Sequence, residues 1–600
     1  MSQAERVPEP TADYLFEVSW EVCNQVGGIN TVLKSKAAVT GRYYANYVLI
    51  GPYVERNAAL ELEEREPPEQ FKAAFQALKA LGITCRYGAW QIKGEPPAIL
   101  IDFAALTTKK NDFKARLWES YKIDSLAAGW DFEEPILFAA AVAELLSAIE
   151  KQLGGKRLVA QFHEWMTGAA ILFLKQKKSA IRTVFTTHAT MLGRAICGTG
   201  GNLYDMLDTI DPMAEAYRHQ VAAKHLTELA CARTCDIFTT VSEITAIEAK
   251  RLLGREPDVL VLNGLDISKF PTFEETSIKH ITCREKLRSF LTFYFFPYHV
   301  FPIEHNLVLF MTGRQEFKNK GIDITIQALG KLNRMLQEQS SDPQRTISVF
   351  FWIPMEHAGV KVELLENKNY YHHIKNYIEF NSEKILSKVL HDFLAQKDVT
   401  GEALFTKEFV QNMKKDLLQF RRRGNAPLCT NYLPDEENNE IIKALRAAGL
   451  NNSEQDRVKV IVQPLYLDGN DGLLNLSYYD AIAGTHLGLF PSYYEPWGYT
   501  PLETAAMGVS AVTTDLAGFG RFIAPHLEET NPGIRVLKRY KRGNDEVVDS
   551  FAQMLFEFSQ LSHADRVQNK IAAKHLTALC DWEKFIAFYI EAHNRALQKA

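Results

Sequence analysis

HLGLFPSYYEPWGYTPLETAAMGVSAVTTDLAGFG, residues 486–520, decides the fold. Leu487 to Phe490 is an apolar run of strand length, followed by an aromatic loop that carries Glu495 between Tyr494 and Pro496. A short helix opens near Pro501, and a second apolar run, containing Thr513 and Thr514, ends in the turn Gly518–Gly520. Strand, loop, helix and strand in this order form one unit of a parallel α/β sheet, where ligands bind outside the carboxyl ends of strands. Thr500, Pro501 and Glu503 have the spacing of an N-cap, a first-turn proline and a capping-box acid. Glu503 therefore reads either as a helix-end acid or as a ligand-binding one. Glu495 reads either as a solvated loop acid or as a group held at a strand end.

Working outward, Asn306 to Thr312 is a buried strand, and Arg314 and Lys320 flank the loop before a helix from about Ile322. Two cations at a strand end suit a diphosphate, whose departure builds negative charge; ordinary surface bases are the alternative. Near the N-terminus, Tyr14 to Glu17 begins a strand, and Gly27 and Gly28 precede the helix INTVLKSKAAVT. Glycines there let backbone approach a ligand, and first-turn amides attract an anion, although a plain helix start looks the same. Leu158–Gln161 and Thr183–Thr186 are buried strands, ending in His163, Glu164 and Trp165 and in His188. Such histidines are either satisfied structural groups or residues of a cleft. Asn46 to Tyr53 is a further strand, Glu61 to Gln70 a charged surface excursion, and one long helix is expected around Tyr217 to Arg233.

Six hundred residues at 46% apolar composition imply two large packed domains. A net charge of −5 gives no reason to expect nucleic acid or a membrane surface as partner. The polar start MSQAERVPEPTAD has no basic-then-apolar leader, so a cytoplasmic protein is expected. Eight scattered cysteines, with Cys231 and Cys235 the close pair, and 16 scattered histidines suggest neither a disulfide framework nor a zinc cluster. LTFYFFPYHVFP, 291–302, is too short and proline-interrupted to span a bilayer. The DGNDG loop, 468–472, lacks the spacing of a calcium loop. No metal is expected.

FPSYYEPWGYTPLE (490–503) resembles the animal and fungal type of glycogen synthase, and five other motifs agree with it in the expected order. These are VGGINTVLKSKA (26–37), FHEW (162–165), THATMLGRAICG (187–198), NGLD (263–266) and GRQEFKNKG (313–321). Members are retaining glycosyltransferases with two facing Rossmann-like domains, the GT-B fold. The similarity runs from about residue 14 to 590. It implies an α/β chain with an acceptor-side domain over 1–280, joined by a C-terminal helix at about 575–600. It also implies a nucleotide-sugar-binding domain over 281–574, interrupted by a helical insertion at 355–423 that serves as an arm of a homo-oligomer, such as a tetramer.

The implied reaction moves glucose from UDP-glucose to the non-reducing end of an α-1,4-glucan with retention, using no metal or other cofactor. Residue by residue, the resemblance assigns Glu495, His188, Arg194, Arg314 and Lys320 to catalysis. It turns Gly27, Gly28, Tyr478, Trp497, Gly498, Thr500 and Glu503 to the donor, and His163, Glu164 and Trp165 to the acceptor. On a continuous helix Glu495 and Glu503 would stand about 12 Å apart, beyond the facing pair of a glycosidase; the loop between them leaves the distance free, but Glu503 is tied to a helix start.

Two departures stand out. HADRVQNKIAAKH (563–575) has only Arg566, Lys570 and Lys574 where the family carries a sugar-phosphate-sensing arginine cluster, and no serine-rich tail follows. Both imply a bacterial-like or otherwise unregulated member. The competing readings are an ADP-glucose or small-acceptor transferase, a phosphorylase, and a non-catalytic glucan-binding scaffold. No stretch resembles a phosphorylase's pyridoxal phosphate motif, and a scaffold would be expected to have lost Arg314, Lys320 or Glu495.

Overall fold

The computed structural model describes residues 7–599 apart from 340, 341 and 343. The first six residues of the polar start, and residue 600, lie outside the described residues. Nine strands form the first sheet: β1 (Tyr14–Val18), β2 (Tyr47–Pro52), β3 (Leu62–Glu64), β4 (Thr84–Trp90), β5 (Pro97–Asp102), β6 (Leu158–His163), β7 (Arg182–Thr187), β8 (Ile237–Thr240) and β9 (Val259–Leu260). Their order is β3-β4-β5-β2-β1-β6-β7-β8-β9, parallel except where β4 pairs antiparallel with β3 and β5. A second, fully parallel sheet orders β12 (Val458–Gln463), β11 (Thr346–Trp352), β10 (Asn306–Thr312), β13 (Leu487–Leu489), β14 (Ser510–Thr514) and β15 (Ile534–Leu537).

Helices cover both faces of parallel sheets, so their strands are apolar throughout. β2, β6, β11, β12 and β14 are buried at every position. Strand order reverses at β1/β6 in the first sheet and at β10/β13 in the second. In open parallel sheets a crevice forms at such a reversal, and ligands commonly bind there.

The expected surface excursion at 61–70 is partly a strand. Leu62–Glu64 pairs with β4 at the sheet edge, where Glu63 and Glu64 discourage further pairing. The single helix expected over 217–233 is two, Pro212–Arg218 and Ala222–Thr234. Asp211 caps the first, and Gln220, at φ +56°, separates them with a conformation no helix contains. The tail holds three helices, Asn544–Gln560, His563–Thr577 and Trp582–Gln598. The insertion is helical, running through Val362–Phe380, Ser382–Leu394, Gly401–Leu404 and Lys407–Phe420.

The last helix packs on the first sheet's side. Trp582 is fully buried, and its indole N–H donates to Ser35 Oγ of the helix Gly28–Tyr43 at 2.8 Å. Gly264, of the NGLD turn, lies flat on the indole; a Cβ there would stand 2.6 Å from it. By contrast, the helix Phe273–Phe295 shares its apolar cluster with β10 and β11 of the second sheet. Trp582→Ala removes this anchor and should cost about 3–5 kcal/mol. A denaturant midpoint equal to wild type would show that the tail is not held through it.

Candidate active site

At the second sheet's reversal, two loops are drawn together. Gly321 has φ +71°, and a Cβ there would stand 2.1 Å from the carbonyl oxygen of Pro491. Only glycine allows that approach. Asn319 O accepts from the amide of Tyr493 at 2.8 Å, which fixes the register of the two loops. Lys320 Nζ thereby lies 2.5 Å from Glu495 Oε2, in a pair whose side chains are only 19% and 20% exposed. The stem of Lys320 crosses Gly313 at the end of β10. Arg314 stands at the same strand end, 75% exposed and paired with Glu316 at 2.9 Å.

The helix after Glu495 starts differently from the sequence expectation. It spans Tyr499–Ala506, and its N-cap is Gly498, at φ +107°, with no side-chain cap. Thr500 is inside the helix, so it cannot cap it. Glu503 does not close a capping box either; it accepts from Tyr479 Oη at 3.0 Å. Burial pushes the Glu503 carboxyl up to about 7, against the opposing hydrogen bond from Tyr479. Both residues line a cavity of about 360 Å³ shared with Asn30, Lys34 and Asp266. Tyr478 is half-buried beside Tyr479 and packs toward the second core, so its neighbour is the one that meets Glu503.

Trp497 is not a ligand face. It is buried among Phe519, Phe522 and Phe585, a core aromatic that packs the loop onto the last helix. Trp165 is likewise buried, its ring stacked on Phe132 at 5.8 Å. His163 is 1% exposed, held between Glu17 and His188 rather than presented to an acceptor. Glu164, at φ +65° and half-buried, accepts from the amides of His188 (2.9 Å) and Ala189 (3.2 Å) and so shapes the loop after β7. Burial raises its carboxyl, while Arg194 and those amides oppose the rise.

His188 follows β7 and is 7% exposed. Thr190 then caps the helix Met191–Gly198, which carries Arg194. The guanidinium is reached by solvent yet walled by protein, with Glu164, Tyr494, Glu228 and Glu316 around it. At the glycine loop, Glu21 Oε2 already accepts from the amides of Gly27 (2.7 Å) and Asn30 (2.9 Å). Only part of the expected anion cradle is therefore open. Gly28 stays exposed, with nothing within 4 Å of a Cβ placed on it.

Sequence reading missed Glu17, Glu21 and Lys36. The signal for Glu17 was present: an acid within the apolar run YLFEV has to be paired. The DGNDG aspartates serve their own loop, Asp471 accepting from Leu473 and Asn475 amides and Asp468 from Asn470. Among the described residues, no three His, Cys, Asp or Glu side chains are grouped as metal ligands would be. Among the same residues, no helix is long and apolar enough to cross a membrane.

A second basic cluster lies away from this crevice. A cavity of about 420 Å³ is lined by His280, Arg284, Arg288, Arg566, Lys570 and Lys574. Half of these six side chains, His280, Arg284 and Arg288, come from the helix Phe273–Phe295, outside the stretch 563–575. Burial, then Arg288 and Arg566, lowers Arg284 to about 9; burial with Arg284 and Arg566 takes Lys570 well below its ordinary value.

Two Rossmann-like sheets, with charged residues gathered at the carboxyl ends of both, define the GT-B fold of two-domain sugar-transferring enzymes. The catalytic domain of starch synthase IV from Arabidopsis thaliana, solved with ADP and acarbose, aligns over 98% of this chain and 100% of its own, with a TM-score of 0.51 at 12% identity. A profile described as glycogen synthase matches residues 17–600. The liver glycogen [starch] synthase of Mus musculus is 35% identical over 602 residues, covering all of this chain and 85% of its own. The glycogen [starch] synthase of Neurospora crassa is 35% identical over 608 residues, covering all of this chain and 86% of its own. The chain belongs to the glycogen synthase family. It is a retaining glycosyltransferase that moves glucose from a nucleotide-sugar donor to a glucan.

The raised Glu503 carboxyl has a sign that can be checked. It keeps its proton to higher pH than in the unfolded chain, where it titrates near 4.5. The stability this contributes is complete below that value and is lost as pH rises through about 7. Between about pH 5 and about pH 8, wild type should lose more stability than Glu503→Gln. Equal changes in unfolding midpoint would mean that the carboxyl is not desolvated.

Proposed function

We propose that the donor is UDP-glucose, that the acceptor is the non-reducing end of an α-1,4-glucan, and that transfer needs no metal. The observation that carries this reading is the Lys320–Glu495 pair at the second sheet's strand ends, in a member of this family. Lys320 and Arg314 take the negative charge that builds on the diphosphate as the C1–O bond breaks. The exposed Gly28 backbone adds a dipole beside it. Glu495 lies next to the transferred glucose, with His188 and Arg194 across the crevice. The bond from C1 to the acceptor oxygen forms on the face the phosphate leaves, and the acceptor's proton passes to a phosphate oxygen. Glu503 and Tyr479, on the 360 Å³ cavity, suit the hydroxyls of a ribose.

Trp165, His163 and Trp497 drop out as direct contacts because they are buried. Gly498 and Thr500 serve through the shape of the helix start. The division at about 280, with the last helix returned to the first domain, is part of the same reading. The arm at 355–423 exposes Phe380, Phe393, Leu394 and Leu418 by 71% or more, which supports self-association into a homo-oligomer. Eight free cysteines fit a reducing, cytoplasmic setting.

A second reading follows from the basic cavity. The expectation of an unresponsive enzyme counted cations on one helix alone. Six cationic or titratable side chains around one cavity, with Lys570 and Arg284 crowded by like charge, favour a bound sugar phosphate.

Glucose incorporation into glycogen should be strong with UDP-glucose and weak with ADP-glucose, without added metal. The reverse preference moves the donor assignment; no transfer from either removes the reading. Lys320→Ala should lower kcat about 10²–10³-fold, the usual loss for one preorganised charge at a leaving group. Glucose 6-phosphate should raise activity roughly fivefold or more, and Lys570→Ala should abolish that response. An unchanged rate would restore the unregulated reading.

A further inference from the structure

Glu17 is the fourth of the five residues of β1, fully buried, where a parallel strand ordinarily carries an apolar side chain. Three donors converge on it. Lys36 Nζ at 2.5 Å and His163 Nε2 at 2.8 Å meet Oε1, and Tyr47 Oη donates to Oε2. Lys36, also fully buried, lies over the ring of Tyr589 at 4.1 Å from its centroid. Burial alone would raise the Glu17 carboxyl, but Lys36 and His163 hold it well below the usual carboxylate range. The carboxylate and the ammonium compensate each other, and at His163 burial outweighs the pull of Glu17 and Glu21 toward the charged form. Burial lowers His163, and lowers His188 further, with His163 and Lys36 adding to the effect.

Two neutral imidazoles carry one N–H each, and counting protons leaves a single arrangement. A carboxylate only accepts, so the proton of His163 sits on Nε2. Its Nδ1 is then a bare lone pair. That Nδ1 lies 2.8 Å from His188 Nε2, so His188 must be the donor. His188 is therefore protonated on Nε2 and bare on Nδ1. Among the described residues, no hydrogen bond reaches that Nδ1, and the side chain is the member of the chain that retains some exposure.

We propose that Glu17, acting through His163, locks His188 in the Nε2–H tautomer, so that its Nδ1 accepts a hydrogen bond from a hydroxyl of the bound sugar. Glu17 and His163 are positioning residues; His188 is the group that touches the ligand. The inference rests on the reading above that His188 borders the transferred glucose. It makes a hydrogen-bond acceptor of this histidine, where an isolated imidazole would present either a donor or an acceptor.

The test is nitrogen NMR on the histidine-labelled full-length protein, with the His188 signals identified by their loss in His188→Ala. Wild type should show an unprotonated Nδ1 and a protonated Nε2. His163→Leu, which supplies neither donor nor acceptor, should mix the tautomers and lower kcat about tenfold or more, with a smaller effect on the KM for UDP-glucose. His163→Gln can donate to Glu17 and accept from His188, so it should restore kcat relative to His163→Leu. A protonated Nδ1 in wild type overturns the proposal even if the Leu variant does not fold. A Leu variant with wild-type tautomer and kcat overturns it as well. Undiminished activity in His188→Ala would instead sink the underlying site reading, so the two failures are separable.

Discussion

The close approach of Gly321 to the carbonyl of Pro491 is the constraint on which the crevice depends. It stitches the loop after β13 to the loop after β10, and the Asn319 carbonyl, accepting from Tyr493 and less closely from Tyr494, fixes how they lie. Lys320 and Glu495, 175 residues apart, meet as a consequence. The same two tyrosines then leave the second sheet. Tyr493 Oη accepts from the Tyr204 amide and Tyr494 Oη donates to Glu248, each at 3.2 Å. One loop thus sets both the cation–carboxylate geometry and the seating of the two sheets on each other.

Buried acids on the first side differ by what surrounds them. Glu248 receives hydroxyls from Thr190, Tyr204 and Tyr494, yet burial still pushes it up to about 7. Glu17 is equally buried but has an ammonium on the same oxygen as His163, and there the attraction outweighs desolvation. Hydroxyl donors soften the cost of a buried charge, whereas a full opposite charge reverses it. The neutral imidazoles beyond Glu17 follow from this. With Lys36 already compensated, a second cation would be left without a partner.

Much of this was legible in the sequence, for a physical reason. Parallel sheets bury their strands and place chemistry at the carboxyl ends, so apolar runs followed by His163, His188, Arg314 or Glu495 mark the strand ends that border the crevice. What a side chain does there depended on partners far along the chain. Trp165 turned inward because Phe132 offers it a stacking face, and Trp497 because Phe519, Phe522 and Phe585 enclose it. Thr500 had the right type for a cap, but Gly498 reached the required turn first. The basic cavity was hidden because its side chains come from helices nearly 300 residues apart, as the 290-residue separation of His280 and Lys570 shows. A run on one helix is visible in a sequence; a ring assembled from two is not.

The two acids of the central stretch end in opposite surroundings, and that divides their work. Glu495 faces an ammonium across 2.5 Å, so each charge compensates the other while both are four-fifths withdrawn from water. A diphosphate that engages Lys320 takes over part of that compensation. In the proposed reaction the carboxylate's field would then be less cancelled as positive charge builds on the sugar. Glu503 has no cation opposite it, only the hydroxyl of Tyr479, and burial favours its protonated form. A neutral carboxyl can both donate and accept, which suits hydroxyls and not a developing cation. The same residue type, eight positions apart, therefore offers a paired charge in one place and hydrogen-bond pairing in the other.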